Sequence, residues 1–475
     1  MTDLLTTSPS GAERTTVGDD RLFPVDAHTR GLARDLYESV ADLPIISPHG
    51  HVPAALLRKD HPFEDPTELL LSSDHYVTRL LHANGVSYDD LRPADGRPAG
   101  RRAWDLLAAH WHEFAGTASG YWLERTFEQV FGLTEELGSD SAGRLYTAIE
   151  SRLAEPAFRP RALFDAFRID VLATTDDPLD DLADHAALRD DASFRGRVLP
   201  TFRPDRYLDP ESPSFAADVA RLHEATGAPM TFAGYRAALE ARRAYFIDHG
   251  AVSADHGIAD LLVVDLGDQA AAFYDRAVGG SLSSGEARAF RGHMLLEMGR
   301  MSARDGLVMT IHPGVRRNHS SATFERFGAD TGNDIPITTR FTDEIRPLLE
   351  EIGLLPDVHL VLFSVDETVY SREIAPLAGF YPSVYIGAPW WFLDAPDAGL
   401  RFRSAVTETA GFYRHSGFID DTRAFLSIPA RHDMSRRLDA SFLARLVVEG
   451  RVRPAAARRI IHDLTDTMPR EVFKL

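Results

Sequence analysis

The 475-residue sequence contains no cysteine. This absence excludes disulfides, zinc–thiolate sites, iron–sulfur clusters and cysteine nucleophiles, so a bound metal would have to use histidine, carboxylate or water ligands. Lysine is nearly absent as well, because Lys59 and Lys474 are the only ones in the sequence. No apolar stretch approaches the roughly 18–20 residues that a membrane-spanning helix requires, and we expect no membrane partner.

Positive charge is also in deficit. The chain has 51 Lys and Arg residues against 71 Asp and Glu residues, for a formal net charge of −20. A field of this sign repels polyanions, so nucleic acid is not an expected partner. A small anionic substrate would need a local cluster of arginines. The hydrophobic share of 44% and the charged share of 26% are typical of a globular protein with a sizeable core.

The first twenty residues have no basic segment followed by an apolar one, so they do not form a secretory signal. They are rich in Thr, Ser, Gly and acidic residues. We predict a flexible N-terminal tail over 1–20 on a cytoplasmic protein, with residues 21–475 forming the folded part.

Short apolar runs that end in polar residues, most of them followed by helical patterning, recur along the chain. They cover residues 43–49, 169–175, 197–203, 250–254, 307–312, 358–366, 382–388 and 417–420. Alternating strands and helices predict an α/β fold with a parallel sheet, and eight such units predict a distorted (β/α)8 TIM barrel. An open doubly wound sheet is the alternative, but no Gly-x-Gly-x-x-Gly turn opens a helix.

Residues 53–168 separate the first two predicted strands, a far longer connection than a barrel needs. Their pattern is helical, as in 103–110. We predict a helical cap subdomain, inserted after strand 1 and placed over the mouth of the barrel. The active site of such a barrel forms at the C-terminal ends of its strands, where most polar clusters of this sequence occur.

A His-x-His pair, His49 and His51, follows the first predicted strand. Side chains of a strand alternate, so both imidazoles project to one side and can bind one divalent cation. Two unrelated loop histidines are the alternative. Asp421 is the expected third ligand, since strands 1 and 8 are neighbours in a closed barrel, although an Asp here could also be a helix N-cap. The alternation points the Asp420 side chain the other way. It puts Arg423 on the same side as Asp421, where the guanidinium could pair with Asp421 or with the carboxylate of a bound ligand.

Two further strand ends carry candidate residues. Arg203 ends the third run and could bind an anion, or form a structural salt bridge with Asp205. His312 ends the fifth run and adjoins an Arg/Asn cluster that includes Arg317. A lone histidine is more often structural, but this position favours a functional role.

The remaining candidates are aromatic. His75 and Tyr76 lie in the predicted insertion and could provide acid–base chemistry if the cap folds over the pocket; otherwise they are surface residues. Trp390 and Trp391 follow the seventh run. Paired tryptophans at a barrel mouth could stack on a sugar face, although core packing is equally ordinary.

Several short segments, taken in chain order over 43–437, resemble those of one enzyme family. They are His49-Gly50-His51, Asp74-His75-Tyr76, Thr174-Thr175-Asp176-Asp177-Pro178, Thr201-Phe202-Arg203-Pro204-Asp205, Ser253-Ala254-Asp255-His256-Gly257, His312-Pro313-Gly314, Tyr385-Ile386-Gly387, Trp390-Trp391-Phe392 and Asp421-Thr422-Arg423-Ala424-Phe425. The set resembles uronate isomerases (glucuronate/galacturonate isomerases), outlying members of the amidohydrolase superfamily.

The resemblance implies a distorted (β/α)8 barrel that interconverts an aldose and a ketose, either D-glucuronate with D-fructuronate or D-galacturonate with D-tagaturonate. A proton then moves between C2 and C1 through an enediol. The resemblance also implies one divalent ion, expected to be Zn²⁺ with Mn²⁺ as the alternative, on His49, His51 and Asp421. We also expect a homo-oligomer.

Site roles follow from the same resemblance. The expected catalytic residues are Asp421, Tyr76, His75 and Arg423, and the expected substrate-binding residues are Arg203, His312, Arg317, Trp390, Trp391 and Asp255. Either the Asp421 carboxylate or the Tyr76 phenol could shuttle the proton, and the sequence leaves that choice open. Arginines would bind the uronate carboxylate in spite of the net negative charge.

The chain departs from the family pattern at Ser47 and Gly50, where the family commonly has an acidic residue and a cysteine. A divergent subgroup acting on another sugar acid is therefore an alternative.

Two other functions compete with the isomerase interpretation. A hydrolase of the same superfamily would usually add a histidine after strand 6 and often a lysine in strand 4. Strand 6 ends Ser364-Val365-Asp366, and lysine is nearly absent. A non-catalytic sugar-acid-binding barrel is disfavoured because the His, Asp, Tyr and Arg candidates are all present.

Overall fold

The structure of the protein is a computed structural model, which describes residues 20–72, 74–93 and 98–475. Apart from Asp20, the predicted N-terminal tail lies outside the described residues.

The strands follow the predicted apolar runs closely. They are β1 Ile45–Ser47, β2 Ile169–Ala173, β3 Arg197–Leu199, β4 Thr201–Phe202, β5 Ser253–Ile258, β6 Val308–Pro313, β7 Val315–Arg316, β8 Ile335–Pro336, β9 Leu360–Leu362 and β10 Val384–Ile386. Each of the first seven predicted runs overlaps at least one strand, whereas β7 and β8 lie outside the predicted runs. The fourth begins later than predicted, so Asp255 and His256 lie within β5 instead of after it.

The long strand pairings are all parallel. One sheet has the order β1-β2-β3 and the other β10-β9-β6-β5-β4, while β7 and β8 form an antiparallel pair. Pro200, which has no N–H donor, separates β3 from β4. A parallel bridge between Asp176 and Phe202 links the two sheets at this point. The expected α/β fold with parallel strands is therefore confirmed.

Residues 417–420 do not form a strand, so the prediction of a strand there is wrong. Gly417, the first residue of this segment, has a left-handed backbone with φ of 77°, and so has Asp421, which directly follows the segment, with φ of 40°. An extended strand cannot include such residues. A side chain at Gly417 would also collide with Pro469, whose Cδ lies 2.7 Å from the position of a Cβ. Tertiary contact thus sets the backbone of this segment.

The same segment contacts strands on both sides. The Ser416 N–H donates to the Ile386 carbonyl at 2.9 Å, next to β10. The His51 N–H donates to the Thr422 carbonyl at 3.0 Å, just after β1. Backbone hydrogen bonds therefore connect residues 416–422 to both the last and the first long strand.

Helices fill the connections between strands. They are α1 Ala27–Glu38, α2 Ala54–Lys59, α3 His75–Ala83, α4 Tyr88–Leu91, α5 Gly100–Ala109, α6 Ala118–Gln129, α7 Ala142–Leu153, α8 Pro160–Ala166, α9 Ala183–Asp190, α10 Asp205–Leu208, α11 Phe215–Thr226, α12 Phe232–Asp248, α13 Ala270–Val278, α14 Ser284–Asp305, α15 Ser321–Phe327, α16 Arg346–Ile352, α17 Ala375–Ala378, α18 Pro396–Ala410, α19 Ile428–Val448, α20 Pro454–His462 and α21 Met468–Phe473. Short 3₁₀ turns occur at Trp111–Phe114, Pro156–Phe158, Gly267–Gln269, Phe412–Arg414 and Phe425–Ser427, and π turns at Glu68–Ser72, Tyr370–Ile374 and Asp463–Thr467. No helix of the described ranges is both long enough and apolar enough to cross a membrane.

The connection between β1 and β2 holds helices α2 to α8. Helix α5 buries Ala103, Trp104, Leu107 and Ala108, the spacing of one helix face. These residues belong to a hydrophobic cluster that also includes Ile45 of β1 and Ile169 of β2. The connection therefore shares a core with the sheet and does not pack as a separate body.

Helix α19 is buried along most of its length although it carries many charged residues. Most of its buried charges are paired, as in the Arg403–Asp439 ion pair at 2.6 Å, whereas Arg436 donates to the backbone carbonyls of Ala41, Leu43 and Pro44. Such pairing is required because an isolated buried charge is very costly. The N-terminal turns of α19 bring Arg431 and His432 behind the C-terminal ends of the strands.

Candidate active site

A cavity of about 430 Å³ opens where the C-terminal ends of the strands meet. It collects most of the residues that the sequence predicts for the site, namely His49, His51, His75, Tyr76, Arg203, His312, Arg317, Trp390, Trp391, Asp421 and Arg423. Asp255 is fully buried beneath them. Residues from six separate stretches of the chain thus line one cavity. His49, Arg203, His312 and Trp390 lie at or after strand ends, as predicted, whereas His75 belongs to a helix and Asp421 follows no strand.

The two histidines of the His-x-His pair converge on one carboxylate. Asp421 Oδ1 lies 3.4 Å from His49 Nε2 and 3.0 Å from His51 Nε2. The Thr175 hydroxyl donates to the Gly50 carbonyl at 2.9 Å and holds the intervening backbone. Asp421 does not cap a helix, because the following turn begins at Phe425 without a side-chain cap. The alternative role for Asp421 is therefore excluded.

Electrostatics at this trio favour an ionised carboxylate. Burial opposes ionisation of Asp421, but His49 and His51 hold its pKa well below the usual range. Burial alone would lower the pKa of both histidines. In His49, Asp255 and Asp421 outweigh burial and raise the pKa, whereas burial dominates in His51 and lowers it. An anionic oxygen between two imidazole nitrogens is a donor set suited to a divalent cation.

A second trio overlaps the first. Candidate ligand atoms lie within 4.8 Å of one another both in the set His49, His51 and Asp421 and in the set His49, Asp255 and His312. Asp421 Oδ1, Asp255 Oδ2 and His312 Nε2 are buried and have no hydrogen-bond partner within the described residues. Buried polar atoms are rarely left unsatisfied. These orphaned acceptors therefore fit a bound cation with nitrogen and oxygen ligands.

Asp255 orients His312. Its Oδ1 lies 2.6 Å from His312 Nδ1 and accepts from the Thr310 hydroxyl at 2.5 Å. Burial would raise the pKa of Asp255, but His312, His49 and Arg203 together hold it well below the usual range. An ionised carboxylate has no proton to give, so His312 Nδ1 must donate to it; in the neutral imidazole this leaves the lone pair on Nε2, which faces the cavity.

Arg203 forms the structural salt bridge considered for it and also lines the cavity. Its Nε donates to Asp205 at 2.7 Å, which is the structural salt bridge, and its Nη1 lies 3.3 Å from Asp255 Oδ2. The guanidinium also lines the cavity. It therefore sits beside His49 and His312 with its geometry fixed from behind by two carboxylates.

Arg423 has a different partner from the expected Asp421, and Arg317 also pairs with a carboxylate. Arg423 pairs with Asp330 at 3.1 Å, and Arg317 pairs with Asp334 at 3.0 Å. Strand alternation, which placed Arg423 beside Asp421, fails because Asp421 has a left-handed backbone. Both arginines remain on the cavity wall.

Aromatic side chains form one wall. Asp74 caps α3 by accepting from the Tyr76 N–H at 2.9 Å, which places His75 and Tyr76 in the first helical turn. The His75 ring lies 5.2 Å from that of Tyr76 and 5.4 Å from that of Trp391. Trp390 stacks on Trp391 at 5.4 Å. Residues of the long connection thus reach the same cavity as residues that follow β10.

The two positions that depart from the family pattern lie behind the histidines. A Cβ built on Gly50 would stand 3.6 Å from Ser47 Oγ and 3.5 Å from Asp420 Oδ1, ordinary contact distances. Packing therefore does not require glycine at this position. Asp420 lines the cavity as well, and the Nε2 of His432 lies 3.0 Å from its Oδ2.

The sequence profile of the glucuronate isomerase family matches residues 27–473. The chain belongs to this family. A uronate isomerase from Corynebacterium efficiens is 51% identical over 461 residues, which cover 96% of this chain and 98% of that protein. Among solved structures, the glucuronate isomerase of Caulobacter crescentus aligns with a TM-score of 0.94 at 47% identity and covers 96% of both chains. The uronate isomerase of Thermotoga maritima aligns with a TM-score of 0.91 at 27% identity and covers 96% of this chain and 99% of that one.

Family membership confirms the resemblance found in the sequence and the expectation of an isomerase. It also favours the isomerase over the hydrolase and over the non-catalytic binding protein. The ordered set of short motifs therefore identified the family correctly.

Sequence reasoning missed several residues of the cavity. Asp394 contacts the Tyr76 hydroxyl, and Arg431 contacts Asp394. Asp330 and Asp334 pair with the two arginines named above. Arg431 carries no sequence signal, because a helix rich in charged residues is ordinarily exposed. Asp394 does have a weak one, since it directly follows the run Trp390-Trp391-Phe392-Leu393.

Proposed function

We propose that this protein interconverts a hexuronate and its ketose, either D-glucuronate with D-fructuronate or D-galacturonate with D-tagaturonate. The observation that carries the proposal is the family match over residues 27–473. The chemistry of the cavity supports it, because acidic, basic and aromatic side chains converge there. A different sugar acid is the alternative that the exchange at Ser47 and Gly50 leaves open.

The architecture that we propose is a distorted (β/α)8 barrel. The hydrogen bonds from residues 416–422 to Ile386 and His51 support closure between the last and the first strand. We propose that 53–168 acts as a cap, since His75 and Tyr76 reach the cavity from it. We further expect a cytoplasmic homo-oligomer, which light scattering of the purified protein would test by its molar mass. A monomeric mass would contradict the oligomer.

Substrate binding rests on the arginines. Arg203, Arg317 and Arg423 line the cavity of a protein whose overall charge is −20. We propose that they bind the uronate carboxylate, since a guanidinium can hold a carboxylate through two parallel hydrogen bonds. His312 and the paired Trp390 and Trp391 would contact the sugar hydroxyls and the sugar face, and Asp255 would act through His312.

One divalent cation completes the proposed site. His49, His51 and Asp421 would hold it, with Zn²⁺ expected and Mn²⁺ as the alternative, and their nitrogen and oxygen donors fit either ion. When bound, such a cation polarises carbonyl and hydroxyl oxygens.

The reaction needs a group that carries a proton between C2 and C1. Asp421 is the better candidate, because of the two groups it is the one that is ionised and so can accept a proton. Burial raises the pKa of the Tyr76 phenol well above its usual value, so this group keeps its proton. Arg423 would stabilise negative charge that develops on the enediol oxygens, and His75 would bind a hydroxyl beside it.

A coupled assay tests the function. The purified protein, loaded with Zn²⁺ or Mn²⁺, is given D-glucuronate or D-galacturonate together with NADH and a reductase specific for the ketose product. We expect NADH oxidation that requires the protein and that His49→Ala abolishes. Absence of turnover with either uronate, together with hydrolysis of an amide or ester, would refute the isomerase and support the hydrolase.

A further inference from the structure

The Tyr76 hydroxyl faces a carboxylate that no part of the proposed reaction uses. It lies 3.1 Å from Asp394 Oδ2 and 3.2 Å from Oδ1. Both residues line the cavity, and Asp394 is 8% exposed. The hydroxyl therefore has one strong acceptor on its inner side and open space on the other.

Arg431 supplies the charge that balances this carboxylate. Its Nη1 donates to Asp394 Oδ2 at 3.0 Å, and its Nε donates to the Ser427 hydroxyl at 3.1 Å. The guanidinium also stacks over the ring of Trp122 at 3.6 Å from the centroid. Arginine is always protonated, so it favours the ionised form of Asp394 against the burial that raises its pKa. The position of Asp394 is thus fixed from behind.

This arrangement decides how Tyr76 can bind. A phenol has a single proton to donate, and a neighbouring carboxylate can only accept. When the Tyr76 hydroxyl donates its hydrogen bond to Asp394, its oxygen can offer only lone pairs to the cavity. Its partner there must be a donor, such as a hydroxyl of the sugar.

We propose that Asp394 is a positioning residue that makes Tyr76 a hydrogen-bond acceptor for a hydroxyl of the substrate. The inference rests on the proposed isomerase function. It adds to that function which partner donates and which accepts in the hydrogen bond between Tyr76 and the substrate. Asp394 does not touch the substrate and acts through Tyr76. Arg431 holds the Asp394 carboxylate in place through a charge-assisted hydrogen bond.

A double-mutant cycle tests this dependence. The holoenzyme, Tyr76→Phe, Asp394→Asn and the double variant are compared for kcat, KM, metal content and melting temperature. We expect Asp394→Asn to lower kcat/KM by roughly tenfold to a hundredfold in the parent, the usual value of a hydrogen bond to a charged group. In the Tyr76→Phe background the same change should cost less than about twofold. Metal content should be unchanged in all four proteins.

Two further variants sharpen the cycle. Asp394→Glu keeps an anionic acceptor and should recover part of the lost activity. Asp394→Ser, which also removes the anionic acceptor, takes the place of Asp394→Asn in the cycle if the latter melts below the assay temperature. Tyr121→Phe is the matched control, because the Tyr121 hydroxyl also lies near a buried carboxylate, 3.4 Å from Asp433 Oδ2, but does not line the cavity. Its activity should equal that of the parent.

The outcomes distinguish a failure of the role proposed for Asp394 from a failure of the proposed isomerase function. Equal losses from Asp394→Asn in both backgrounds, or a loss under about twofold in the parent, would overturn the role of Asp394 while the isomerase stands. A parent protein that is inactive on every hexuronate would overturn the proposed function and this inference with it.

Discussion

Replacing Asp255 by asparagine should disable His312 without removing the proposed metal. Asp255 is buried, accepts from His312 Nδ1 at 2.6 Å and lies 3.3 Å from Arg203 Nη1. The carbonyl oxygen of an asparagine amide can still accept at one of these contacts, but it carries no negative charge. The NH₂ group of the amide then faces the other contact. The imidazole then loses the partner that fixes its protonation pattern.

The His312 contact sets the size of the effect. A hydrogen bond to a charged group contributes about 1.5–3 kcal/mol and a neutral one about 0.5–1.5 kcal/mol. Weakening this hydrogen bond by the difference should therefore cost about 1–1.5 kcal/mol, or roughly 5- to 12-fold in kcat/KM.

The assay combines kinetics with metal analysis. The reductase-coupled assay gives kcat/KM, and atomic absorption of the desalted protein gives the metal content. Asp255→Asn should keep its metal, whereas His51→Ala should lose it, because only the second residue belongs to the proposed ligand trio. Asp260→Asn is the matched control, since Asp260 pairs with Arg288 and Arg291 outside the cavity.

Either of two results would refute this reasoning. A kcat/KM of Asp255→Asn within about twofold of the parent would show that Asp255 does not orient His312. Loss of metal from Asp255→Asn together with its retention in His51→Ala would move the cation to the trio of His49, Asp255 and His312.

Three further predictions concern other parts of the site and the core. His49→Ala should lose the metal whichever trio holds it, and an unchanged metal content would break both assignments. Arg203→Met should raise the KM for the uronate by about tenfold or more, and Arg203→Lys by less, because a bidentate guanidinium contact is lost; an unchanged KM in steady-state kinetics would contradict carboxylate binding there. Burial lowers the pKa of His256 to about 4. The unfolded chain, in which this pKa is about 6.5, therefore binds the proton more readily, and up to about 3 kcal/mol of stability is present above pH 6.5 and lost as the pH falls toward 4. Urea unfolding at pH 7 and at pH 5 gives the free energy of unfolding at each pH. This free energy should change less between the two pH values in His256→Asn than in the parent, and an equal change in both proteins would refute the prediction.

The strands could be predicted because their signal is local. A buried parallel strand requires a short run of apolar and β-branched residues, and runs such as 307–312 and 358–366 show it directly. The run 417–420 fails because its backbone depends on packing against Pro469 and on the left-handed Asp421. Neither contact is visible in the run itself.

Some features of the candidate site could likewise be predicted from local sequence, and others depend on tertiary contacts. His49 and His51 are one residue apart, so their shared direction follows from strand geometry. The partners of Arg423 and Tyr76 do not follow from any local pattern. Tyr76 and Asp394 are separated by 318 positions, and only the tertiary fold brings them into contact.

The sequence by itself determined which chemistry was possible in this protein. Without cysteine, and with histidines and aspartates at strand ends, it allowed a metal site of nitrogen and oxygen donors and identified the family through ordered motifs. Only the tertiary structure decided how those groups are used. The ionisation of Asp421, the orientation of His312 and the polarity of Tyr76 each depend on a buried neighbour that is distant in the chain. Such contacts acquire their strength from the exclusion of water, which no local pattern encodes.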